Sequence, residues 1–514
     1  MRQADLVCGA LLASVSTFAL EGVRSHAVTV EVDVRRGLPA FTLVGLPDRA
    51  VRESRERVRA AVQNSGLEFP LMRITVNLAP AHVRKAGPGF DLAIAVGVLV
   101  ASRQVEPESL ESTALCGELS LSGELRSIRG ALAAALGARD RRYARLIVPP
   151  ENAGEAALVG GIEVIGALSL RQIAAVLAGD DHVPPASAEI AEPEVPGGPD
   201  LRDVRGQDDA KRALEIAAAG GHNLLMVGPP GVGKTMLARR LPGLLPPPDV
   251  EEALEITQMH SAAGLAGGRL IRERPFRAPH HTISAQGLVG GGAVPRPGEI
   301  TLAHRGVLFL DELAEFGREA LDALRQPLEE GRVDIMRGQR TLEFPANAVL
   351  VAACNSCPCG RPPDACRCRA GERDRYLRRL NGPLLDRLDL VCDVRPVPPL
   401  ELVANEARGP ATSAVRERVA AARERQRSRL ARTAARCNAD MDGRLTRRIV
   451  VLDPETAGGL IGARERGTLS GRGHDRVLRV ARTIADLAGR DAVRAEDVDE
   501  ALSYRFDGWE RLAA

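Results

Sequence analysis

The sequence contains few aromatic residues, few lysines and no long apolar run. Phe, Trp and Tyr make up 3% of the 514 residues, so we expect cores built from Ala, Leu, Val and Ile. No run of about 18 apolar residues occurs, which argues against a membrane-spanning helix. Arg2 precedes an apolar stretch, but Asp5 and the lack of a clear cleavage site argue against a signal peptide.

Cysteine content excludes a disulfide scaffold, and net charge excludes no class of partner. Nine cysteines are too few for a disulfide scaffold in a chain of this length. The 69 basic and 67 acidic residues give a net charge of +2, which indicates no particular partner. Lysine occurs only at Lys85, Lys211 and Lys234. The position of Lys234 is informative, because the motif around it needs an ammonium group.

Composition and periodicity divide the chain into four parts. Residues 1–180 alternate strand-like and helix-like stretches, which predicts an α/β domain. Residues 181–200 contain five prolines and predict a linker. Residues 201–400 predict a nucleotide-binding α/β core with a parallel sheet, and residues 401–514 predict a helical domain. The strongest helix predictions in this last part cover residues 411–437, 470–487 and 495–504.

A glycine-rich loop follows a short apolar strand near the middle of the chain. Residues 228–235 read Gly-Pro-Pro-Gly-Val-Gly-Lys-Thr and match the pattern G-x-x-x-x-G-K-[ST]. The glycines let backbone N–H groups surround phosphates, Lys234 supplies positive charge, and the Thr235 hydroxyl ligates Mg²⁺. The alternative is a plain turn before a helix. The predicted nucleotide-binding residues of this loop are Gly228, Pro229, Pro230, Gly231, Val232, Gly233, Lys234 and Thr235.

Two further predicted strands end in polar residues suited to ATP hydrolysis. The run Val-Leu-Phe-Leu ends at Asp311 and Glu312, and open α/β sheets bind ligands at this edge. We expect Asp311 to hold the Mg²⁺ shell and Glu312 to polarise the attacking water. The strand at residues 348–354 ends at Asn355, which would orient that water. The alternative for Asn355 is a simple strand cap.

Two arginines complete the predicted catalytic set. Arg387 would act as an arginine finger on the ATP of a neighbouring subunit. The alternative is a surface ion pair of Arg387 with Asp386 or Asp389. Arg472 lies at the start of a predicted helix and would reach the γ-phosphate, with Arg476 and Arg479 as nearby alternatives. The use of ATP favours the cytoplasm.

Motifs along nearly the whole chain resemble the ComM/YifB group of the magnesium-chelatase-like AAA+ family. They occupy residues 37–48, 52–58, 73–80, 203–207, 228–235, 276–281 and 297–299. The resemblance implies a homo-oligomeric ring, a hexamer, that holds ATP between subunits, with Val204 and Gln207 near the adenine. It also implies ATP-driven branch migration of DNA during recombination and natural transformation.

The N-terminal domain resembles the fold of Lon proteases. Gly89 lies where such proteases carry the nucleophile, and glycine has no side chain to attack a substrate. Residues 128–132 lack the lysine expected of a Ser–Lys dyad. We therefore interpret the domain as a non-proteolytic platform.

Two segments bear on a DNA substrate. Residues 328–344 predict a strand–turn–strand with Arg337 at its tip, where it would contact phosphates without reading sequence. Residues 277–297 would form a second pore element. The alternative is that both loops only pack subunits together. Residues 416–448 carry eleven arginines against four acidic residues, which predicts either a DNA-facing helix or a solvated face.

Four cysteines lie within twelve residues. Cys357, Cys359, Cys366 and Cys368 form two C-x-C pairs that could hold a tetrahedral Zn²⁺. This spacing is tighter than the common C-x-x-C, and free or redox-sensitive thiols are the alternative.

Three functions compete. The first is a ring motor that acts on branched or single-stranded DNA. The second is the ATPase subunit of a metal chelatase, which would not need the Lon-like domain. The third is a scaffold that ATP assembles without turnover, and the predicted Glu312, Asn355 and Arg387 positions argue against it.

Overall fold

A computed structural model describes most of the chain, which is a mixed α/β protein. The described residues are 11–188, 198–265, 269–292, 295–337, 340–361, 366–369, 371–372, 375–376, 384–399, 409–465 and 469–505. Within these ranges every helix is too short or too polar to cross a bilayer.

The N-terminal region contains a seven-stranded mixed sheet with the order β3-β4-β2-β1-β5-β8-β9. Strand β2 pairs antiparallel with β1 and β4, and the other neighbours are parallel. Val28, Val30 and Val32 alternate inward along β2, as period-two patterning predicts. The strands of this sheet are β1 (Leu11–Glu21), β2 (Arg24–Arg35), β3 (Ala40–Val44), β4 (Arg73–Ala79), β5 (Thr113–Leu115), β8 (Arg145–Val148) and β9 (Glu163–Gly166). A separate antiparallel ribbon is formed by β6 (Glu118–Leu119) and β7 (Leu125–Arg126).

Helices cover both faces of this sheet. Helix α2 is buried along its whole length, because ten of its eleven residues are small or apolar and its single charged residue, Asp91, pairs with Arg57. The helices are α1 (Arg49–Asn64), α2 (Asp91–Ala101), α3 (Ala131–Asp140), α4 (Pro150–Ala157) and α5 (Leu170–Ala178).

The central region is built on a five-stranded parallel sheet with the order β11-β14-β17-β10-β18. Two short antiparallel ribbons, β12–β13 and β15–β16, project from it. The strands are β10 (Leu224–Val227), β11 (Phe276–Arg277), β12 (Gly290–Gly291), β13 (Arg296–Pro297), β14 (Val307–Leu310), β15 (Arg332–Arg337), β16 (Arg340–Pro345), β17 (Val349–Cys354) and β18 (Leu390–Asp393). The helices are α6 (Asp208–Gly220), α7 (Lys234–Ala238), α8 (Leu241–Leu244), α9 (Val250–Ala263), α10 (Ala285–Val289), α11 (Glu299–Leu302), α12 (Arg318–Ala323) and α13 (Arg325–Glu330).

The C-terminal region is helical, and its apolar face shares one core with β10 and α6. The prediction of one helix over residues 411–437 was wrong in its end point. The helix stops at Leu430, where the Thr433 N–H and hydroxyl both donate to the Leu430 carbonyl and close a turn. The helices are α14 (Thr412–Leu430), α15 (Gly443–Ile449), α16 (Gly458–Glu465), α17 (Gly471–Leu487) and α18 (Ala495–Ser503).

The arginines of α14 hold this helix against the rest of the protein. Arg416 donates to the Gly243 carbonyl at 2.7 Å, Arg418 to the Glu215 carboxylate at 2.6 Å and Arg423 to the Ala218 carbonyl at 2.8 Å. Arg429 pairs with the buried Asp486. Along α14 the arginine-rich stretch is therefore not a purely solvated face, because several of its guanidinium groups bond to neighbouring elements. The alternative of a DNA-facing helix stays a prediction.

The turn between β1 and β2 contacts the central region. Val23 is buried in the same core as Phe344 of β16, and its carbonyl accepts from the Gln258 side chain of α9 at 2.8 Å. Gly22 lies against the Phe344 ring, which a Cβ at Gly22 would approach to 3.3 Å. The N-terminal sheet is thereby fixed to the base of the β15–β16 ribbon.

Candidate nucleotide site

The glycine-rich loop joins β10 to α7, so the predicted strand–loop–helix arrangement is confirmed. All four residues of β10 are buried. Gly228 follows the strand so closely that a Cβ there would lie 2.2 Å from the Val394 carbonyl oxygen. Gly233 has φ +97° and starts α7, a conformation that glycine adopts without strain. The loop therefore needs glycine at these two positions.

Lys234 is folded onto the loop that precedes it. Its ammonium group donates to the carbonyls of Gly228 at 2.6 Å and Pro229 at 2.8 Å, and to Asn355 Oδ1 at 3.1 Å. Burial lowers the pKa of this ammonium, against the attraction of Asp311 and Glu312, which raises it. The structure thus brings Lys234 and Asn355 together, as the sequence predicts for neighbouring strand ends.

Thr235 and Asp311 form the oxygen pair expected of a magnesium site. The Thr235 hydroxyl donates to Asp311 Oδ2 at 2.7 Å. Asp311 follows β14, which lies one strand away from β10 across β17. A hydroxyl and a carboxylate are ligands that suit Mg²⁺, so these residues fit the ion that the motif implies.

Glu312 stands in an unusual backbone conformation beside a histidine. Its φ is +53°, a left-handed value that non-glycine residues adopt at an energetic cost, and such residues cluster at functional sites. Its carboxylate lies 3.6 Å from His281 Nδ1. The His281 ring also packs on His280, with centroids 4.1 Å apart. The segment at residues 277–297 therefore reaches the carboxyl edge of the central sheet, a contact that the sequence prediction missed.

Gln207 contacts the loop, and Val204 belongs to the core against which Val232 of the loop packs. Val204 is buried, and Gln207 has φ +61°. The Gln207 amide donates to the carbonyls of Val232 at 3.3 Å and Arg395 at 2.6 Å. This position fits the predicted place of both residues near a bound base.

Arg387 does not meet the loop of its own chain. It lies before β18, and the Asn223 side chain, which precedes β10, donates to the Arg387 carbonyl at 3.0 Å. The loop is at the opposite end of β10, about 13 Å away along the strand. The Arg387 guanidinium pairs with Glu329 of α13. Of the two alternative partners, Asp389 is engaged elsewhere and the Asp386 side chain lies outside the described residues.

Arg476 and Arg479 of α17 face Asp389 instead of the loop. Their guanidinium groups lie 3.9 Å and 3.7 Å from its carboxylate, and His222 Nδ1 lies 3.4 Å away. Burial acts to raise the pKa of Asp389, but the His222 hydrogen bond and the arginine charges outweigh it and lower that pKa to about 2. Arg472, at the start of the same helix, is exposed.

The predicted DNA-contacting hairpin is present as β15–β16. Arg337 is the last residue of β15, and its backbone lies opposite that of Arg340 in the antiparallel register of the ribbon. The side chain of Arg337 and the tip residues 338–339 lie outside the described residues. Met336, one residue before, is 80% exposed. The ribbon also contacts β12, so the two predicted pore segments lie side by side.

The four cysteines converge on one point. The sulfur atoms of Cys357, Cys359, Cys366 and Cys368 all lie within 4.8 Å of one another. Backbone N–H donors, with that of Arg367 first, lower the pKa of the Cys359 thiol to about 6, and burial raises the pKa of Cys357 to about 12. Four converging sulfur ligands suit a tetrahedral metal ion.

Comparison with known proteins identifies the family. The profile described as "Magnesium chelatase, subunit ChlI" matches residues 200–402, "Subunit ChlI of Mg-chelatase" matches residues 30–152, and "Magnesium chelatase, subunit ChlI C-terminal" matches residues 409–505. Competence protein ComM of Haemophilus influenzae is 44% identical over 503 residues, covering 96% of this chain and 97% of ComM. The protein YifB of Salmonella typhimurium is 45% identical over 497 residues, covering 96% and 97%.

A shorter similarity is also present. Lon protease 2 of Bacillus subtilis is 30% identical over 142 residues, covering 26% of this chain and 26% of that protease. The full-length similarity to ComM and YifB is decisive, because it extends over nearly all of each protein at well above 30% identity. The chain therefore belongs to the ComM/YifB family of magnesium-chelatase-like AAA+ proteins.

Proposed function

We propose that this protein is a hexameric, ATP-driven ring motor that moves DNA, with branch migration in recombination and natural transformation as its task. The observation that carries the proposal is the similarity to a competence protein over 97% of its length. Such a motor works in the cytoplasm, where ATP and DNA are both present.

The proposed ATP cycle uses the residues gathered at the carboxyl edge of the central sheet. The loop at residues 228–235 surrounds the phosphates, and Lys234 exchanges its contacts with the loop carbonyls for the β- and γ-phosphates. Thr235 and Asp311 hold Mg²⁺, which neutralises charge on the phosphates. Glu312 polarises the attacking water, and Asn355 orients it.

The proposed ring places each ATP between two subunits. Support comes from Arg387, which lies at the far end of β10 from its own loop and so suits a neighbouring site. The C-terminal helices act as a lid in this proposal. The first turn of α17 carries Arg472. Because α17 packs at the end of the sheet opposite its own loop, we propose that Arg472 reaches the γ-phosphate of an ATP held by a neighbouring subunit.

The proposed DNA contacts lie on the β15–β16 ribbon. Arg337 near its tip binds the phosphate backbone without sequence preference. The N-terminal domain serves as a Lon-like, non-proteolytic platform, and its β1–β2 turn supports the base of the ribbon. A zinc ion held by Cys357, Cys359, Cys366 and Cys368 completes the proposed cofactors.

One experiment tests the proposed motor. ATP turnover is measured alone, with single-stranded DNA and with a four-way junction, and branch migration of that junction is followed in parallel. We expect DNA to stimulate ATP turnover, and we expect branch migration of the junction only when ATP is present. Absence of both stimulation and migration would exclude a DNA motor.

A matched pair of variants localises the DNA contact. Arg337→Ala should reduce stimulation by DNA and flatten the fall of affinity with salt, because one phosphate contact is lost. Arg318→Ala removes an arginine whose side chain is 93% exposed on α12, and it should behave as wild type. Equal effects of the two variants would remove Arg337 from the DNA site.

The ATPase subunit of a metal chelatase remains the second candidate. The descriptions of all three matching profiles favour it, since each names a chelatase subunit. One of these profiles covers residues 30–152, so the N-terminal domain does not count against a chelatase as the sequence suggested. This function predicts that DNA does not change the rate of ATP turnover. It also predicts that the protein, together with partner subunits, supports Mg²⁺ insertion into a porphyrin.

A further inference from the structure

We propose that the metal bound by the four-cysteine cluster controls the affinity of the glycine-rich loop for nucleotide. The inference rests on the proposed nucleotide binding by this loop and deepens it. The ion is of a class that prefers four thiolates in tetrahedral geometry, of which Zn²⁺ is the common example.

The cluster touches the loop directly. Gly360 follows the first C-x-C pair and has φ +68°. A Cβ at Gly360 would lie 2.9 Å from both Cδ and Cγ of Pro230, so the turn abuts the proline ring of the loop. The Gly360 N–H donates to the Cys357 carbonyl at 3.0 Å, which closes this turn around two of the cysteines. Any change in the path of the chain between Cys357 and Gly360 would therefore alter its packing against Pro230.

A second connection runs through the strand that leads into the cluster. Asn355, two residues before Cys357, accepts from Lys234 through its side chain and from the Tyr376 hydroxyl at 3.0 Å through its carbonyl. The Cys354 carbonyl accepts from the Gly228 N–H at 3.2 Å. The cluster is thus joined to the loop at its first residue, at Pro230 and at Lys234.

The shape of the cluster depends on a bound cation. Four sulfur atoms within 4.8 Å of one another can all bond to one metal ion, and these bonds would fix the cysteines relative to one another. Cys359 is exposed and Cys366 is half-buried, so packing alone holds them weakly. Loss of the metal would release the turn from Pro230 and would leave the loop less well ordered for phosphate binding.

The first test uses the reciprocity of coupled binding. If the metal raises nucleotide affinity, nucleotide must raise metal affinity by the same factor. Zinc transfer from the purified full-length protein to a chromophoric chelator is measured with and without ADP and Mg²⁺, and we expect about tenfold tighter zinc retention with ADP. ADP affinity, measured by calorimetry, should fall by about the same factor in Cys359→Ser/Cys366→Ser protein. Absence of zinc, or equal ADP affinity in zinc-loaded and zinc-free folded protein, would overturn the inference.

The second test leaves every cysteine in place. Gly360→Ala should keep full zinc content but weaken ADP binding by about fivefold, because its methyl group displaces Pro230. Gly489→Ala is the matched control, since it has φ +70° and nothing within 4 Å of the added Cβ. Gly360→Ala protein that binds ADP as tightly as the control would contradict the contact mechanism.

The outcomes separate this inference from the proposed motor. Both tests are made without DNA, so a failure of branch migration does not affect them. Wild-type protein that binds no nucleotide would overturn the proposed function itself, along with the coupling. Wild-type protein that binds ADP equally with and without zinc would overturn only the coupling.

Discussion

In the five-stranded sheet, the carboxyl ends of the strands form one edge and the amino ends form the other. The polar side chains at these two edges differ in their exposure and in their hydrogen bonds. At the carboxyl edge, Thr235 is exposed and bonds to Asp311, and the Glu312 side chain is 58% exposed and lies 3.6 Å from His281. At the amino edge, His222 is fully buried and bonds to both Asp389 and Thr483. The side chains at the carboxyl edge are open to solvent, and we call it the accessible edge. The side chains at the amino edge are buried and bonded to one another, and we call it the interlocked edge.

This difference follows from what covers each edge. The C-terminal helices pack over the amino edge, and α17 supplies Thr483 as well as the arginines that face Asp389. The carboxyl edge is left to the loop and to the segment that carries His281. We infer that the carboxyl edge exchanges its internal bonds for ligand bonds, whereas the amino edge fixes the geometry of the helical region. The predictions below test this division.

The largest expected effect comes from Arg387→Ala. An arginine finger supplied by a neighbour should lower turnover by about 10⁴-fold when it is removed. Arg387→Ala subunits have an intact loop and Lys234→Ala subunits have an intact finger, so mixing the two inactive variants should restore part of the turnover if the finger acts on a neighbour. ATP turnover of the mixture measures this, and no restoration above the two separate variants would mean that Arg387 does not act in trans.

The next largest effect concerns the accessible edge. Glu312→Gln keeps the size of the side chain but removes the base, so turnover should fall by about 10³-fold while ATP binding is retained. Lys234→Ala is the companion variant and should lose binding itself. Steady-state turnover and calorimetric ATP binding distinguish the two, and normal turnover in Glu312→Gln would disprove its role.

A substitution at the interlocked edge should act on stability. Asp389→Asn removes a buried carboxylate that faces His222 and two guanidinium groups, so the free energy of unfolding should fall by about 3 kcal/mol. Denaturant unfolding measures this. If Asp389→Asn protein is as stable as wild type but has impaired ATP turnover, the amino edge serves turnover and not stability.

The same carboxylate predicts a pH dependence. Its pKa is about 2 in the folded chain, below its usual value of 3.8, so its contribution is present above pH 3.8 and is lost as pH falls through 2. The contribution is worth about 2 kcal/mol. The stability difference between wild type and Asp389→Asn should therefore shrink between pH 5 and pH 2, and a constant difference would show that the charge is not responsible.

The smallest expected effect is at a solvated pair of the helical region. Asp491 is fully exposed and lies 2.7 Å from Arg425. Asp491→Asn should change the free energy of unfolding by less than about 0.5 kcal/mol, because exposed ion pairs contribute little. It is the matched control for Asp389→Asn, and a similar loss in both variants would remove burial as the explanation.

Local patterns predicted much of the fold. Alternating strand-like and helix-like stretches predicted the α/β N-terminal region, and helical periodicity predicted α17 and α18, all of which are confirmed. The prediction for α14 extended seven residues too far, because composition does not show that Thr433 closes the helix end. Spacing predicted that Lys234, Asp311 and Asn355 meet, since the ends of parallel strands share one edge.

Contacts between distant segments were outside the reach of pattern reasoning. The pairing of Arg387 with Glu329 joins residues from two elements whose relative position depends on packing. Asp389 appeared only as an alternative partner of Arg387, although it faces two arginines of α17. The contact between His281 and Glu312 also carries no motif of its own.

The sequence by itself determined the glycine-rich loop, the acidic strand end and the four cysteines, because each needs particular residue types at fixed short spacing. Only the tertiary structure decided that the cysteine cluster lies against Pro230, that Arg387 lies at the opposite end of β10 from its own loop, and that several arginines of α14 bond to neighbouring elements. Those outcomes depend on how strands and helices far apart in the chain are layered, and local spacing carries no record of that layering.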